Sequence, residues 1–407
     1  ALTTQDAGAT AYNVAVGYET GKTISTGTNN TFLGTRAGLN TTTGASNIAI
    51  GYASLYANNV GTQNVAIGQQ AMDQNQGGDR SVAIGHHALM TQNPAVAGTD
   101  MYNVAVGFEA GNDITTGTEN TFIGGLAGDA LTTGLGNTAL GMKALSTDTT
   151  GRYNVAIGHS TLENQAFAGS EGVYNVAVGY SAGNQVTSGV QNTLIGGLAG
   201  DALTTGDYNV AVGYAALSTE DAHGRNVAIG HEALKTLNAG ADAYNVAVGY
   251  AAGEVMSTGV NNVTIGGFAG DALTTGGYNV AVGYTALSTE DGHGRNVAIG
   301  QAALSTLNAG ADGNNVAVGY NSGYAMTTGR YNVLMGSEAG DALTTGARNT
   351  AIGYAALSTE DAFGYNVAIG SGSLAALNAG GDGYNVAVGN DTGAAMTTGI
   401  RNTIMGA

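Results

Sequence analysis

The sequence predicts an all-β chain wound as a parallel β-solenoid (a β-roll) of about 23 coils with a 17-residue period. Three observations carry that expectation. A pentad of the form Asn-x-(small or apolar)-x-Gly returns through the 407 residues, from Asn13 to Asn402. Successive pentads are 17 residues apart in seventeen of twenty-two intervals. Inside the pentad, large and small residues alternate with period two, which is a strand signal. A helical repeat is excluded by the 69 glycines, the Thr-Thr-Gly turns and the lack of a sustained i, i+3, i+4 pattern.

The strand comes first in each coil. In the stretch Tyr12 to Tyr18, the large Tyr12, Val14, Val16 and Tyr18 alternate with the small Asn13, Ala15 and Gly17. Glycine then closes the strand, because the turn needs positive φ or close backbone approach. One short strand per coil cannot bury its own face, so coils are expected to stack at about 4.8 Å and form ladders of equivalent residues. Two Val or Ile per coil are expected inside, contributing roughly 3–6 kcal/mol before entropy is subtracted. The small Ala is expected to mark a face where another backbone approaches, most simply a second and third copy of the chain. The pentad Asn is expected to form an amide ladder.

The return half of the coil fills the remaining core in two ways. Coils with Ala-Gly after the pentad carry an apolar residue three positions later, as at Ile114, Leu131, Val186, Leu203, Leu273 and Leu343. Coils with Ala-Leu use the Leu itself, as at Leu145, Leu217, Leu287 and Leu357.

The five longer intervals are 22, 21, 19, 19 and 19 residues, and they follow the pentads opening at Ser81, Asn154, Asn226, Asn296 and Asn366. They divide one continuous fibre region, 1–407, into super-repeats at 13–102, 103–174, 175–244, 245–314 and 315–384, with a partial one at 385–407. Short insertions belong in exposed loops. Segments 86–102, 159–174, 231–244, 301–314 and 371–384 are therefore the expected recognition loops.

Composition narrows the function classes. Collagen is excluded because Gly does not fall every third residue. Without cysteine, neither disulfides nor thiolate metal sites can form. Eleven basic against twenty-nine acidic residues give a net charge of −18, which opposes nucleic acid and anionic lipid as partners. No apolar run is long enough for membrane insertion, and the first residues show neither the basic start nor the apolar core of a leader.

Ser81-Val82-Ala83-Ile84-Gly85 and the many Asn-Val-Ala-Ile-Gly copies resemble the repeats of trimeric autotransporter adhesin heads, the YadA-like or haemagglutinin-head β-roll. The wider pattern from Asn30 to Asn47 also resembles repeats in bacteriophage tail fibres. The resemblance spans essentially the whole chain. It implies a left-handed parallel β-roll wound by three chains into a rigid stalk or head that serves adhesion or host recognition, with no enzymatic site. The coil is longer than the family's roughly fourteen residues, and no stretch of residues 1–407 reads as the family's coiled-coil stalk, membrane anchor or self-cleaving chaperone domain. The stretch Ala1 to Asn13 resembles Leu237 to Asn245, so the chain opens late in a fourth-type coil and ends early in a second-type one. Neighbouring sequence or another protein is expected to cover each open end.

Candidate chemistry is sparse. His86, His159 and His231 follow pentad glycines, whereas His223 and His293 sit in Thr-Glu-Asp-x-His-Gly-Arg-Asn. Nothing makes them converge as a catalytic or zinc site would require, and polar surface or interface packing is the expectation. Asp201, Asp271 and Asp341 occupy one coil, and the pairs Glu220-Asp221, Glu290-Asp291 and Glu360-Asp361 occupy the next. Asp201, Glu220, Asp221, Asp271, Glu290 and Asp291 are the candidates for holding calcium between coils; solvated acidic ridges are the other reading. Thr pairs such as Thr115-Thr116 vanish in two coils of four, so turn chemistry accounts for them better than an ice-binding array. Eighteen of twenty Tyr flank a pentad, which suits structural packing with the hydroxyl kept wet, saccharide stacking being the alternative.

The expected role is a non-enzymatic structural fibre or adhesin shaft, extracellular, on a virion tail fibre or cell surface. Its partners would be two further copies of itself and a host or surface glycan or protein receptor. The alternatives are the building block of a polymerised extracellular filament and a surface-glycan enzyme.

Overall fold

The computed structural model describes residues 2–6, 10–169 and 171–406. Ala1 and residues 7–9 of the opening stretch, Ser170 of the second expected loop and Ala407 of the closing stretch lie outside the described residues. The chain is an all-β parallel β-solenoid of about 23 turns. Among the described residues there is no helix long and apolar enough to cross a membrane.

Two compact units divide the chain, Ala1–Asp207 and Tyr208–Ala407. In the first, three-residue strands run from Val14–Val16 to Thr193–Ile195, each paired in parallel with the next. The longer intervals leave the register intact: Val82 still faces Val104, and Val155 faces Val176. The second unit repeats the plan from Val210–Val212 to Thr403–Met405, with Val227 opposite Val246 and Val297 opposite Val316. Extra residues are therefore looped out and never absorbed by the sheet.

The orientation of the strand is the reverse of the expected one. Ala105, Ala139, Ala156 and their equivalents are fully buried, whereas Val and Ile at the positions before and after them face outward. Ile123 and Ile229 keep 39% and 38% of their surface exposed. The physical reason lies in the residues sharing a face with Ala. In a strand Asn, Ala and Gly of one pentad point the same way, and both Asn and Gly are needed inside.

Asn shows why. Asn120 Nδ2 donates across the coil to the Gly134 carbonyl at 2.9 Å and to Asn103 Oδ1 at 3.2 Å. Its own Oδ1 accepts from the backbone and side-chain amides of Asn137 at 2.9 and 3.1 Å. The expected amide ladder thus exists, and it also ties the two sides of each coil together. Where Ser81 interrupts it, Gln92 substitutes, bonding both Ser81 Oγ and Asn103 Nδ2.

The pentad glycine is needed because coils touch backbone to backbone there. A Cβ on Gly124 would stand 2.6 Å from the Gly141 carbonyl oxygen of the next coil, and its φ is +135°. No side chain fits that gap.

The return half behaves as expected: Ile114, Leu131, Val186, Leu145, Leu217 and Leu287 are all fully buried. The loops are narrower than expected. In 231–244, residues Ala233, Leu234, Leu237, Ala239 and Ala243 are buried, leaving 240–242 as the exposed tip. The first insertion is ordered by a strand pair of its own, Gly78–Asp79 with Thr99–Asp100, and by the Arg80–Asp100 ion pair.

Candidate functional site

Because the interior is filled by Asn, Ala, Gly and the return-side Leu, the Val and Ile side chains form two columns on the outer surface of the sheet. Residues flanking the pentad point the same way and border those columns with aromatic rings. On one border Tyr214, His231 and Tyr250 stack with successive centroids 5.3 and 5.2 Å apart, and Phe268 and Tyr284 continue the row edge-on at 5.2 and 6.1 Å. His86 and His159 take the same position, stacked on Phe108 and Tyr180. On the other border Arg225 lies between Tyr208 and Tyr244, and Arg348 between Tyr331 and Tyr365, each guanidinium 5.3–5.6 Å from the ring centres. The rings remain about half exposed. Each unit thus presents a mainly aliphatic strip, interrupted by Thr at positions such as Thr121, Thr138 and Thr350, with aromatic margins, beyond the scattered apolar exposure of ordinary monomer surfaces.

The buried acidic side chains lie apart from this strip, whereas exposed ones meet its margins, as Asp242 does at Arg225 and Glu232 at His231. Glu220, Glu290 and Glu360 stand eleven residues after their pentad Asn, the position that Ile114 and Leu131 hold in other coils, and all three are fully buried. Each is satisfied by backbone. Glu220 accepts the His223 amide at 3.1 Å and the Ala239 amide at 3.2 Å, so it staples its coil to the buried base of the following insertion. Glu290 does the same with His293 and Ala309, and Glu360 with Phe363 and Ala379. Burial pushes all three carboxyls above the usual glutamate range, and the backbone donors partly oppose that push.

The calcium candidates therefore separate into two kinds. Asp201, Asp271 and Asp341 are half-buried on the coil surface, raised by desolvation, each with one buried Oδ1 lacking a hydrogen bond. Glu220 with Asp221, and Glu290 with Asp291, are joined instead by His223 and His293, with one ligand-type atom of each residue within 4.8 Å of the others. His86, His87 and Glu109 make a third such cluster among the described residues. The role of the histidines in these groups escaped the sequence reading. Counting from each pentad Asn would have placed Glu220 in the interior, and His223 three residues on would have followed.

Shallow surface depressions occur beside the first two insertions. One is lined by Ser160, Glu163, Tyr180, Asn184 and Asp201, another by Asn59, Gln76, Asn93, Pro94 and Thr116. No family model matches the chain, and no curated protein matches it significantly.

Proposed function

We propose that the chain is a non-enzymatic structural fibre element, the shaft of a bacteriophage tail fibre or of an extracellular surface adhesin. Three copies associate through the outward Val and Ile columns, and the rod displays its insertion tips to a host or surface glycan or protein receptor. The observation that supports this reading is the aliphatic strip. Its side chains are surplus to an interior that is already packed, and burying them in further copies of the chain removes them from water at roughly 25 cal/mol per Å². Three chains follow from the resemblance of the pentads to trimeric adhesin heads. Tips such as 240–242, present once per super-repeat and in triplicate, would turn weak single contacts into avidity. A net charge of −18 spread over the remaining surface suits a soluble, sparsely contacting rod.

The test is the mass of the purified chain by analytical ultracentrifugation, for the wild type and for Val248→Lys, Ile265→Lys and Val282→Lys combined. Those residues are register neighbours on the strip. The wild type should sediment as three chains and the variant as one, with unchanged far-UV circular dichroism. A monomeric wild type overturns the assembly. Growth of long filaments from the purified chain favours the polymer building block instead.

A further inference from the structure

We propose that Glu220, Asp221 and His223, and again Glu290, Asp291 and His293, are two equivalent binding sites for a divalent transition metal of the zinc class. The sites go beyond the fibre role and do not depend on it. His223 Nδ1 lies 3.7 Å from Glu220 Oε1, and His293 Nδ1 lies 3.5 Å from Glu290 Oε1. Both separations exceed a hydrogen bond. Two ligand atoms bound at about 2.0–2.2 Å to one tetrahedral ion stand about 3.4 Å apart, which is close to what is seen.

An independent observation points the same way. Nδ1 of His223 and Nδ1 of His293 are both buried atoms without a hydrogen-bond partner. Leaving a buried ring nitrogen unpaired costs free energy, and here it happens at the same place in two super-repeats. Super-repeat 315–384 acts as a control built into the chain. Phe363 stands where the His would be, yet Glu360 still accepts the Phe363 and Ala379 amides at 3.2 Å each. Stapling the insertion therefore does not need the imidazole.

The arrangement also has an open side. The Glu is fully buried, the His side chains are about one-third exposed (31% and 33%), and Asp221 and Asp291 are exposed. Three protein ligands with room for water fit an open zinc-type site. A nitrogen donor beside two carboxylates favours a borderline ion over calcium, which takes six to eight oxygens.

Titrating the chelator-treated full-length chain with zinc by calorimetry tests the assignment. The double variant His223→Phe/His293→Phe copies Phe363 of super-repeat 315–384 and should lose two equivalents relative to the wild type. Phe363→His should gain one equivalent, and cobalt at the new site should give a visible d–d band. The cluster at His86, His87 and Glu109 is common to all three proteins and cancels in these differences. Unchanged stoichiometry in either variant overturns the proposal, as does zinc that calcium displaces at equal concentration. Should the double variant fail to fold, His223→Phe alone, losing one equivalent, and the gain variant carry the test.

Discussion

The coil 120–136 and its neighbour 137–153 share a frame and differ inside it. Both open on a ladder Asn, both close their strand with a glycine pressed against the next coil, and both set the eighth residue after the Asn in the left-handed region. That eighth residue is Gly128 in the first (φ +58°) and Leu145 in the second (φ +55°). Where Leu145 fills the core, the strand centre is Ala139; where Gly128 leaves a gap, the strand centre is Phe122. A Cβ on Gly128 would lie 2.5 Å from the Phe122 ring, so the ring occupies the space that Leu145 takes one coil later. The lesson is that backbone contacts are fixed while side-chain volume can be traded across the coil.

Breaking the fixed part should do the most damage. Gly124→Ala forces a methyl into the Gly141 carbonyl, where only whole coils can move apart. A loss above about 4 kcal/mol is expected, at the extreme of single substitutions. It should appear as insoluble expression or a sharply lowered melting temperature. A near-wild-type melt would mean that the coils do not touch there.

Breaking the tradable part should be repairable. Phe122→Ala removes a fully buried ring and should cost about 3–5 kcal/mol in denaturant unfolding. Gly128→Leu alone overpacks the same space, at about 1–3 kcal/mol. Combined, the two changes rewrite the coil in the style of its neighbour, and most of the loss should return. Simple additivity of the two penalties would refute volume exchange.

The ladder comes next. Asn137 bonds Asn120 Oδ1, the Gly151 carbonyl and both amides of Asn154. Asn137→Ser should cost about 2–3 kcal/mol through stranded buried partners. Asp148 sits eleven residues on, as Gln92 does from Ser81, so adding Asp148→Gln should restore part of the loss. No recovery would show that the Ser81–Gln92 pairing is particular to its own coil.

The coil, its register, the looping out of insertions and the amide ladder were all legible in the sequence, because each depends on a period. Which face of the strand turns inward was not. Hydrophobicity alone sends Val14 and Val16 to the core, yet Asn13 and Gly17 share a face with Ala15, and their backbone demands outrank aliphatic burial. Glu220 was legible as an acidic residue but not as a buried one, since its neighbours Thr219 and Asp221 read as surface. The overlooked signal was its place eleven residues after Asn209, the interior position of Ile114 and Leu131, and His223 three residues on gains its meaning from that buried carboxylate.

The smallest expected effect separates the same two coils by charge. Asp129 occupies the ninth position after Asn120, where the neighbouring coil has the neutral Ser146. Desolvation by burial raises the Asp129 carboxyl to about 6, with the charges of Asp113 and Glu109 adding to the rise and backbone amides opposing it. The folded chain therefore holds this proton more tightly than the unfolded chain, whose carboxyl titrates near 3.9. Below about pH 4 both states are protonated and the group costs nothing. From about pH 4 to 6 the penalty of ionising it grows, and above 6 it is constant. Asp129→Asn should thus leave the melting temperature unchanged at pH 3.5. At pH 7 it should stabilise the chain by about 1 kcal/mol, allowing for solvent screening of a half-exposed group. A stabilisation equal at both pH values would assign the effect to packing and remove the charge from the comparison.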